Sequence, residues 1–190
     1  MARPSDPGFL VLHELRVKGI APLMGHDPVA VQAQATAGLI GRREGIVAGW
    51  RLTPAGRLAH ERAVAADVAG LEDGLTEGYR RFLALNPVLL SLCTAWQRSG
   101  ERATVVDGLD GLHRAAAPVL DGLARLLERY GAYRDRLAEA RTRVRAGELD
   151  YVARPLVDSY HTVWSELHED LLASLGIARS SEPVVETEVA

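Results

Sequence analysis

Two histidines in the C-terminal part of the chain recur at a spacing that places both on one helix face. They belong to a run with alternating spacings of four and three residues: Val157, His161, Trp164, His168, Leu171 and Leu175. This periodicity predicts a helix from Pro155 to Gly176 with both imidazoles on an otherwise apolar stripe. A buried imidazole needs a partner for each nitrogen, so we expect the two rings to meet acids, hydroxyls or a ligand.

This face favours a small-molecule pocket, closed on its other side by the long helix predicted from Val106 to Tyr130. The expected ligand-binding residues are Tyr160, His161, Trp164, His168 and His113. If the pocket is catalytic, His161 and His168 are the candidate acid–base groups, and Asp158, one turn before His161, would orient its ring. The alternative is that both histidines are satisfied within a core or an interface. We expect no metal site, because seven helical residues span about 10.5 Å, and no cofactor.

A second set of candidate residues is basic and lies between Leu39 and Arg57, in the sequence LIGRREGIVAGWRLTPAGR. The apolar pairs around Ala48-Gly49 predict two short strands, Ile46-Val47 and Trp50–Leu52, joined by a tight turn. Thr53 followed by Pro54 is a typical helix start, since proline loses no hydrogen bond at the first helical position.

The order of features in this segment resembles the wing of winged helix-turn-helix bacterial regulators of the multiple-antibiotic-resistance type. The features are Leu-Ile, a basic pair, a hairpin and then Leu-Thr-Pro-x-Gly-Arg. The resemblance spans about residues 8 to 66, with a helix-turn-helix shorter than is usual in that family. It implies duplex DNA binding, with a recognition helix from Pro28 to about Ala37. The DNA-binding residues implied are Gln32, Gln34 and Thr36 at base edges and Arg42, Arg43 and Arg51 on the backbone and minor groove.

Charge is unevenly placed along the 190 residues, which carry a net charge of −3. Residues 1–66 have eight basic and five acidic side chains, while the rest has fourteen and twenty. The N-terminal third is thus mildly basic and the rest of the chain is acidic, a distribution that favours contact of the N-terminal third with phosphate groups. The single cysteine, Cys93, excludes an internal disulfide and favours a buried, inert thiol. No apolar run is long enough to span a bilayer and no signal-like segment opens the chain, so we expect a cytoplasmic protein without a membrane partner.

These patterns predict a mainly α-helical protein. Residues 1–66 form a winged-helix-like domain with one β-hairpin, and its first helix begins at Pro7. Residues 67–177 form an α-helical bundle, in which Gly131 ends the long helix. The terminal segments, residues 1–7 and 178–190, are expected to be disordered.

Three functions are compatible with this organisation. The first is a DNA-binding transcriptional regulator whose helical domain forms a homodimer and binds a small-molecule effector. The second is a winged-helix-derived protein that binds or transforms a small molecule at the His161/His168 face without contacting DNA. The third is a protein–protein adaptor using the same aromatic face. The candidate recognition helix has no Lys or Arg, and the surface charge around residues 28–51 therefore distinguishes the first function from the others.

Overall fold

The structure, a computed structural model, describes residues 1–99 and 102–181. The N-terminal part, here called the head, contains α1 (Pro7–Lys18), α2 (Pro28–Thr36), β1 (Ile40–Arg43), β2 (Gly49–Leu52) and α3 (Pro54–Val68). Each helix begins with a polar cap followed by proline. The caps Asp6, Asp27 and Thr53 accept hydrogen bonds from the backbone N–H groups of the first turn, which satisfies donors that otherwise have no helical partner.

The hairpin is present, but its turn lies elsewhere than the sequence indicated. β1 and β2 are antiparallel, and Ile40 faces Leu52 while Arg42 faces Trp50. The connection is the five residues 44–48, in which Gly45 has a φ of +115°, a conformation that favours glycine. The predicted strand Ile46-Val47 is therefore wrong: Ile46 is fully exposed in the loop. The buried pair Ile40 and Leu52 fixes the register instead, because a one-residue slip would turn both side chains to the opposite face.

The remaining helices form the body. They are α4 (Glu72–Leu83), α5 (Asn86–Ser99), α6 (Arg102–Leu126), α7 (Arg129–Arg145), α8 (Asp150–Ala153) and α9 (Tyr160–Leu175). Three predicted boundaries are wrong. α6 begins at Arg102 rather than Val106 and ends at Leu126 rather than Gly131, and the last helix begins at Tyr160 rather than Pro155. Ser159 caps α9, and Leu156, with a φ of +66°, interrupts any helix started at Pro155.

Two hydrophobic clusters organise the packing, and α1 and α3 contribute to both of them. The head cluster contains Val11 and Leu15 of α1, with Ile40 and Leu52 of the hairpin. Other side chains of the same two helices join the large body cluster. The fold class predicted from the sequence is thus confirmed: the protein is mainly helical, with one hairpin in the head and a helical bundle after it. The boundary at residues 66/67, which stays a prediction, falls inside α3.

The N-terminal segment is ordered against the body, contrary to the expected disorder of residues 1–7. The Arg3 backbone N–H donates to Leu126 O, and Arg3 O accepts from the Glu128 N–H, both at 3.0 Å. The Arg3 side chain also donates to the Asp67 and Ala69 carbonyls. At the other end, Arg179–Ser181 form a 3₁₀ turn, and the rest of the predicted disordered tail, residues 182–190, lies outside the described residues. No helix in the described part of the chain is long and apolar enough to cross a membrane.

Candidate functional site

Five arginines line one open groove on the head, which we call the arginine groove. They are Arg16, Arg42, Arg43, Arg51 and Arg57. The groove has a volume of about 790 Å³, and the residues that line it include no Asp or Glu. The C-terminal end of α1, both hairpin strands and the first turn of α3 each supply at least one arginine. The three hairpin arginines were predicted from the sequence motif, whereas the contributions of Arg16 and Arg57 depend on the tertiary fold.

Four of the groove arginines have no carboxylate partner among the described residues: no ion pair joins Arg42, Arg43, Arg51 or Arg57 to an acidic side chain. The Arg42 guanidinium lies 4.9 Å from the centre of the Trp50 ring. Arg16 approaches Glu169 at 3.6 Å. Unpaired and exposed guanidinium groups are free to bind an anion, and their planar fork suits phosphate oxygens.

A close backbone approach fixes the position of α3 beside the hairpin. A Cβ atom on Gly56 would lie only 1.9 Å from Leu39 O, so no other residue fits there. The Thr53 hydroxyl donates to Gly38 O and accepts from the Gly56 N–H. Together these contacts hold the first turn of α3, with Arg57, against the strand that carries Arg42 and Arg43.

The residues expected to contact bases lie on α2, none of whose side chains is fully buried. Gln32 and Thr36 are exposed and hydrogen-bonded to each other at 3.2 Å. Gln34 is half-buried, with its amide packed against the backbone of Gly8. Gln32 and Thr36 are therefore available to an external partner, whereas Gln34 already contacts α1.

A buried polar network joins the head to the body, and Asp170 of α9 lies at its centre. Asp170 is completely buried. Its Oδ1 atom lies 3.0 Å from His13 Nε2, accepts from the Ser174 hydroxyl at 3.0 Å and is 3.4 Å from Arg129 Nε. Burial opposes ionisation of Asp170, yet the charges of His13 and Arg129 hold its pKa well below the ordinary value. The head thus contacts the body through a buried ionised carboxylate.

Arg129 connects the same network to α3. Its side chain is 6% exposed and forms ion pairs with Asp67 of α3 and Asp170 of α9. It also donates to Ser174 Oγ at 2.8 Å and lies over the rings of Phe9 and Tyr130. A buried guanidinium with two carboxylates and two aromatic faces is well compensated for the loss of water.

Two stacked histidines extend the network into the head. His13 Nδ1 of α1 and His60 Nε2 of α3 are hydrogen-bonded at 2.9 Å, and their rings stack at 5.2 Å. Burial, and then the neighbouring charge of His13, lower the pKa of His60 to about 4. His60 is consequently neutral at pH 7.

A cleft of about 350 Å³ lies beside this network, between α1, α7 and α9, and we call it the junction cleft. His13, Arg129 and Asp170 line it together with Tyr133. Two ion pairs flank it, Glu14 with His26 and Arg136 with Glu166. Within the described ranges, no group of three or more His, Cys, Asp or Glu side chains is arranged to hold a metal ion.

The aromatic face predicted as a pocket is instead occupied by core contacts. Trp164 is 2% exposed, stacks on Phe82 at 4.5 Å and donates from Nε1 to Asn86 Oδ1 at 2.8 Å. His168 is buried against the rings of Phe82 and Tyr79. The expected proximity of Tyr160 and His113 is present, since Tyr160 Oη lies 3.4 Å from His113 Nδ1.

The predicted pairing of Asp158 with His161 is wrong. Both Asp158 carboxylate oxygens accept from Arg136 of α7, at 2.8 Å each, and a guanidinium is a stronger partner for a carboxylate than a neutral ring. His161 is half-buried at the surface, and burial lowers its pKa. His161 and Asp158 nevertheless line one open cleft of about 620 Å³, whereas His168 and Trp164 are buried in the core, so the predicted acid–base residues are divided between the surface and the core.

The junction network was not predicted from the sequence, although a local signal was present. Val163, Leu167, Asp170 and Ser174 recur at helical spacing, which places an acid on an apolar stripe. Its partner His13 is 157 residues away in the sequence, so only the fold brings the two together. Comparisons with known protein families, curated proteins and solved structures found no match to this chain.

Proposed function

We propose that the protein is a cytoplasmic DNA-binding transcriptional regulator, and that the arginine groove holds the phosphate backbone of duplex DNA. The observation that carries the proposal is the convergence of five arginines from four elements on a groove without an acidic lining residue. Such a surface attracts a polyanion, and binding is favoured by the release of counterions from the nucleic acid.

Two further features support this function. The segment from Leu39 to Arg57 resembles the wing of winged-helix regulators, and the hairpin carries three of the groove arginines. On α2, Gln32 and Thr36 are exposed, so their side chains can meet base edges while the arginines hold the backbone. Phosphate contacts then supply affinity, and α2 supplies the sequence preference.

The test is the salt dependence of DNA binding, measured by fluorescence anisotropy with a labelled duplex. Each phosphate contact contributes about 0.9 to the slope of log affinity against log salt concentration. The double variant Arg43→Gln/Arg51→Gln should therefore lower that slope by about 2. As a matched control, Arg98→Gln/Arg125→Gln removes the same charge from exposed positions of the body and should leave the slope unchanged.

Two outcomes would exclude this function. One is the absence of duplex binding at low salt by the unaltered protein. The other is an equal loss of slope in the groove variant and the body variant, which would indicate a general charge effect rather than a site.

The regulator is proposed to act as a homodimer. A winged-helix head binds one half-site, so two-fold symmetry lets a dimer match a palindromic operator. α5 exposes Val88 and Leu90 to about half of their full extent, which is compatible with an apolar contact between copies. Sedimentation should show a dimer at micromolar concentration, whereas a pure monomer would contradict this part of the proposal.

The second candidate is a small-molecule-binding protein that does not contact DNA. The junction cleft, with buried polar side chains in its floor, favours it, as does the lack of Lys and Arg on α2. A protein that binds a small molecule but shows no salt-dependent duplex affinity would establish this function over the first.

A further inference from the structure

The buried carboxylate of the junction cleft is satisfied on one side only. His13, Ser174 and Arg129 all approach the Oδ1 atom of Asp170. The Oδ2 atom is equally buried and, like His13 Nε2, has no hydrogen-bond partner within the described residues, so the contact of His13 with Oδ1 is a charge contact rather than a hydrogen bond. An ionised carboxylate has lone pairs on both oxygens, so an unpartnered buried oxygen favours an additional hydrogen-bond donor.

The charges around the cleft balance only when both of its histidines are protonated. Three cations line it, Lys18, Arg129 and Arg136, and their ion pairs involve five carboxylates: Glu14, Asp67, Asp158, Glu166 and Asp170. The lining histidines His13 and His26 contact Asp170 and Glu14, so the network keeps an acidic excess whenever either ring is neutral. Consistent with it, burial and then the charges of Asp170 and Glu166 raise the pKa of Tyr133.

The rest of the cleft suits a compact apolar group. Leu10 and Val17 of α1 and Ala132 of α7 supply apolar walls, and the volume of about 350 Å³ is at the lower end for a small-molecule site. Arg129 does not oppose a bound cation strongly, because Asp67 pairs with it on the side of α3.

We infer that the junction cleft binds a small organic amine, whose ammonium group donates to Asp170 and whose apolar body lies between α1 and α7. Such a ligand neutralises the acidic excess and supplies the donor that Oδ2 lacks. Because it contacts α1 of the head and α7 and α9 of the body, it stabilises the docking of the two parts. The inference does not depend on whether the arginine groove binds DNA.

Three compounds of nearly equal size and different charge test the inference by isothermal titration calorimetry at pH 7. They are benzylamine, benzyl alcohol and benzoate. Benzylamine is expected to bind at least about tenfold more tightly than benzyl alcohol, because a hydrogen bond to a charged group is worth more than a neutral one. Benzoate is expected not to bind. Equal affinities, tighter binding of benzoate, or no binding of benzylamine at millimolar concentration would each overturn the inference.

Two variants locate the binding. Asp170→Asn removes the charge and should weaken benzylamine binding at least about tenfold. Ala132→Tyr fills the cleft from the surface of α7 without changing a charge, so it remains informative if Asp170→Asn does not fold. It should abolish binding, whereas Ala115→Tyr, at an exposed position of α6, should not. Circular dichroism confirms that each variant is folded, and unchanged binding in Ala132→Tyr would place the amine elsewhere and refute the site.

Discussion

Replacing Arg129 by methionine is expected to lower the free energy of unfolding by about 3–5 kcal/mol, the cost typical of leaving a buried charge without its partner. The side chain is 6% exposed. Its loss leaves the buried Asp67 without an ion-pair partner among the described residues, while Asp170 keeps its contacts with His13 and Ser174. Methionine is an unbranched side chain that replaces the aliphatic stem of arginine without its charge, so most of the expected loss arises from the unpaired carboxylate and the smaller part from the space that the guanidinium leaves.

Urea unfolding monitored by circular dichroism measures this change. The matched control is Arg80→Met on α4, where the arginine is 72% exposed and pairs with Glu77. An exposed pair contributes little, so the control should stay within about 1 kcal/mol of the unaltered protein.

A double variant shows whether the ionised carboxylate causes the loss. Adding Asp170→Asn to Arg129→Met removes one of the two carboxylate charges that lose the guanidinium. The double variant should therefore be more stable than the sum of the two single changes implies, by at least about 1 kcal/mol. Additive effects, or a cost below about 1 kcal/mol for Arg129→Met alone, would refute the assignment of the junction as a buried ionic contact.

The other predictions concern pH, backbone packing and the thiol. Burial, with the charge of His13, lowers the pKa of His60 from 6.5 to about 4. Between these two pH values, His60 binds a proton in the unfolded chain but stays neutral in the folded protein. The free energy of unfolding should therefore fall by up to about 3 kcal/mol between pH 6.5 and 4. Urea unfolding across this range, with His60→Gln as the variant that does not titrate, measures that fall. Gly56→Ala should cost several kcal/mol on urea unfolding, because its Cβ meets Leu39 O; Gly111→Ala, which meets nothing within 4 Å, should stabilise the helix by up to about 1 kcal/mol. Burial raises the pKa of Cys93 to about 11, so its reaction with a disulfide reagent at pH 8 should require unfolding.

The local signals of the sequence predicted the starts of the three head helices. At Asp6, Asp27 and Thr53 a capping side chain precedes proline, and all three caps form in the structure. These motifs are read within a few residues, which is why they are reliable. The hairpin turn was misplaced because Ile46 and Val47 are the most strand-like residues locally, whereas the polar strand Ile40–Arg43 is selected by its pairing with β2.

The candidate site depends on contacts that no local pattern contains. His168 on an apolar stripe was interpreted as a ligand group, but aromatic rings of α4 cover it. Asp170 on the same helix was overlooked, and it gains its importance from His13 and Arg129 on two other helices. The hairpin arginines were identified because a sequence motif carries them, while Arg16 and Arg57 join them only through the packing of α1 and α3.

The most direct test of the proposed function is to map the DNA contact surface by NMR, following backbone amide and arginine Nε–Hε shifts as a short duplex is added. If the arginine groove binds DNA, the shifts concentrate on the five groove arginines and on exposed residues of α2, and the outer surfaces of α5 and α6 stay unchanged. Shifts that spread evenly over all exposed arginines, or that fall on the body while the groove is unaffected, would contradict the assignment of the arginine groove as the DNA interface.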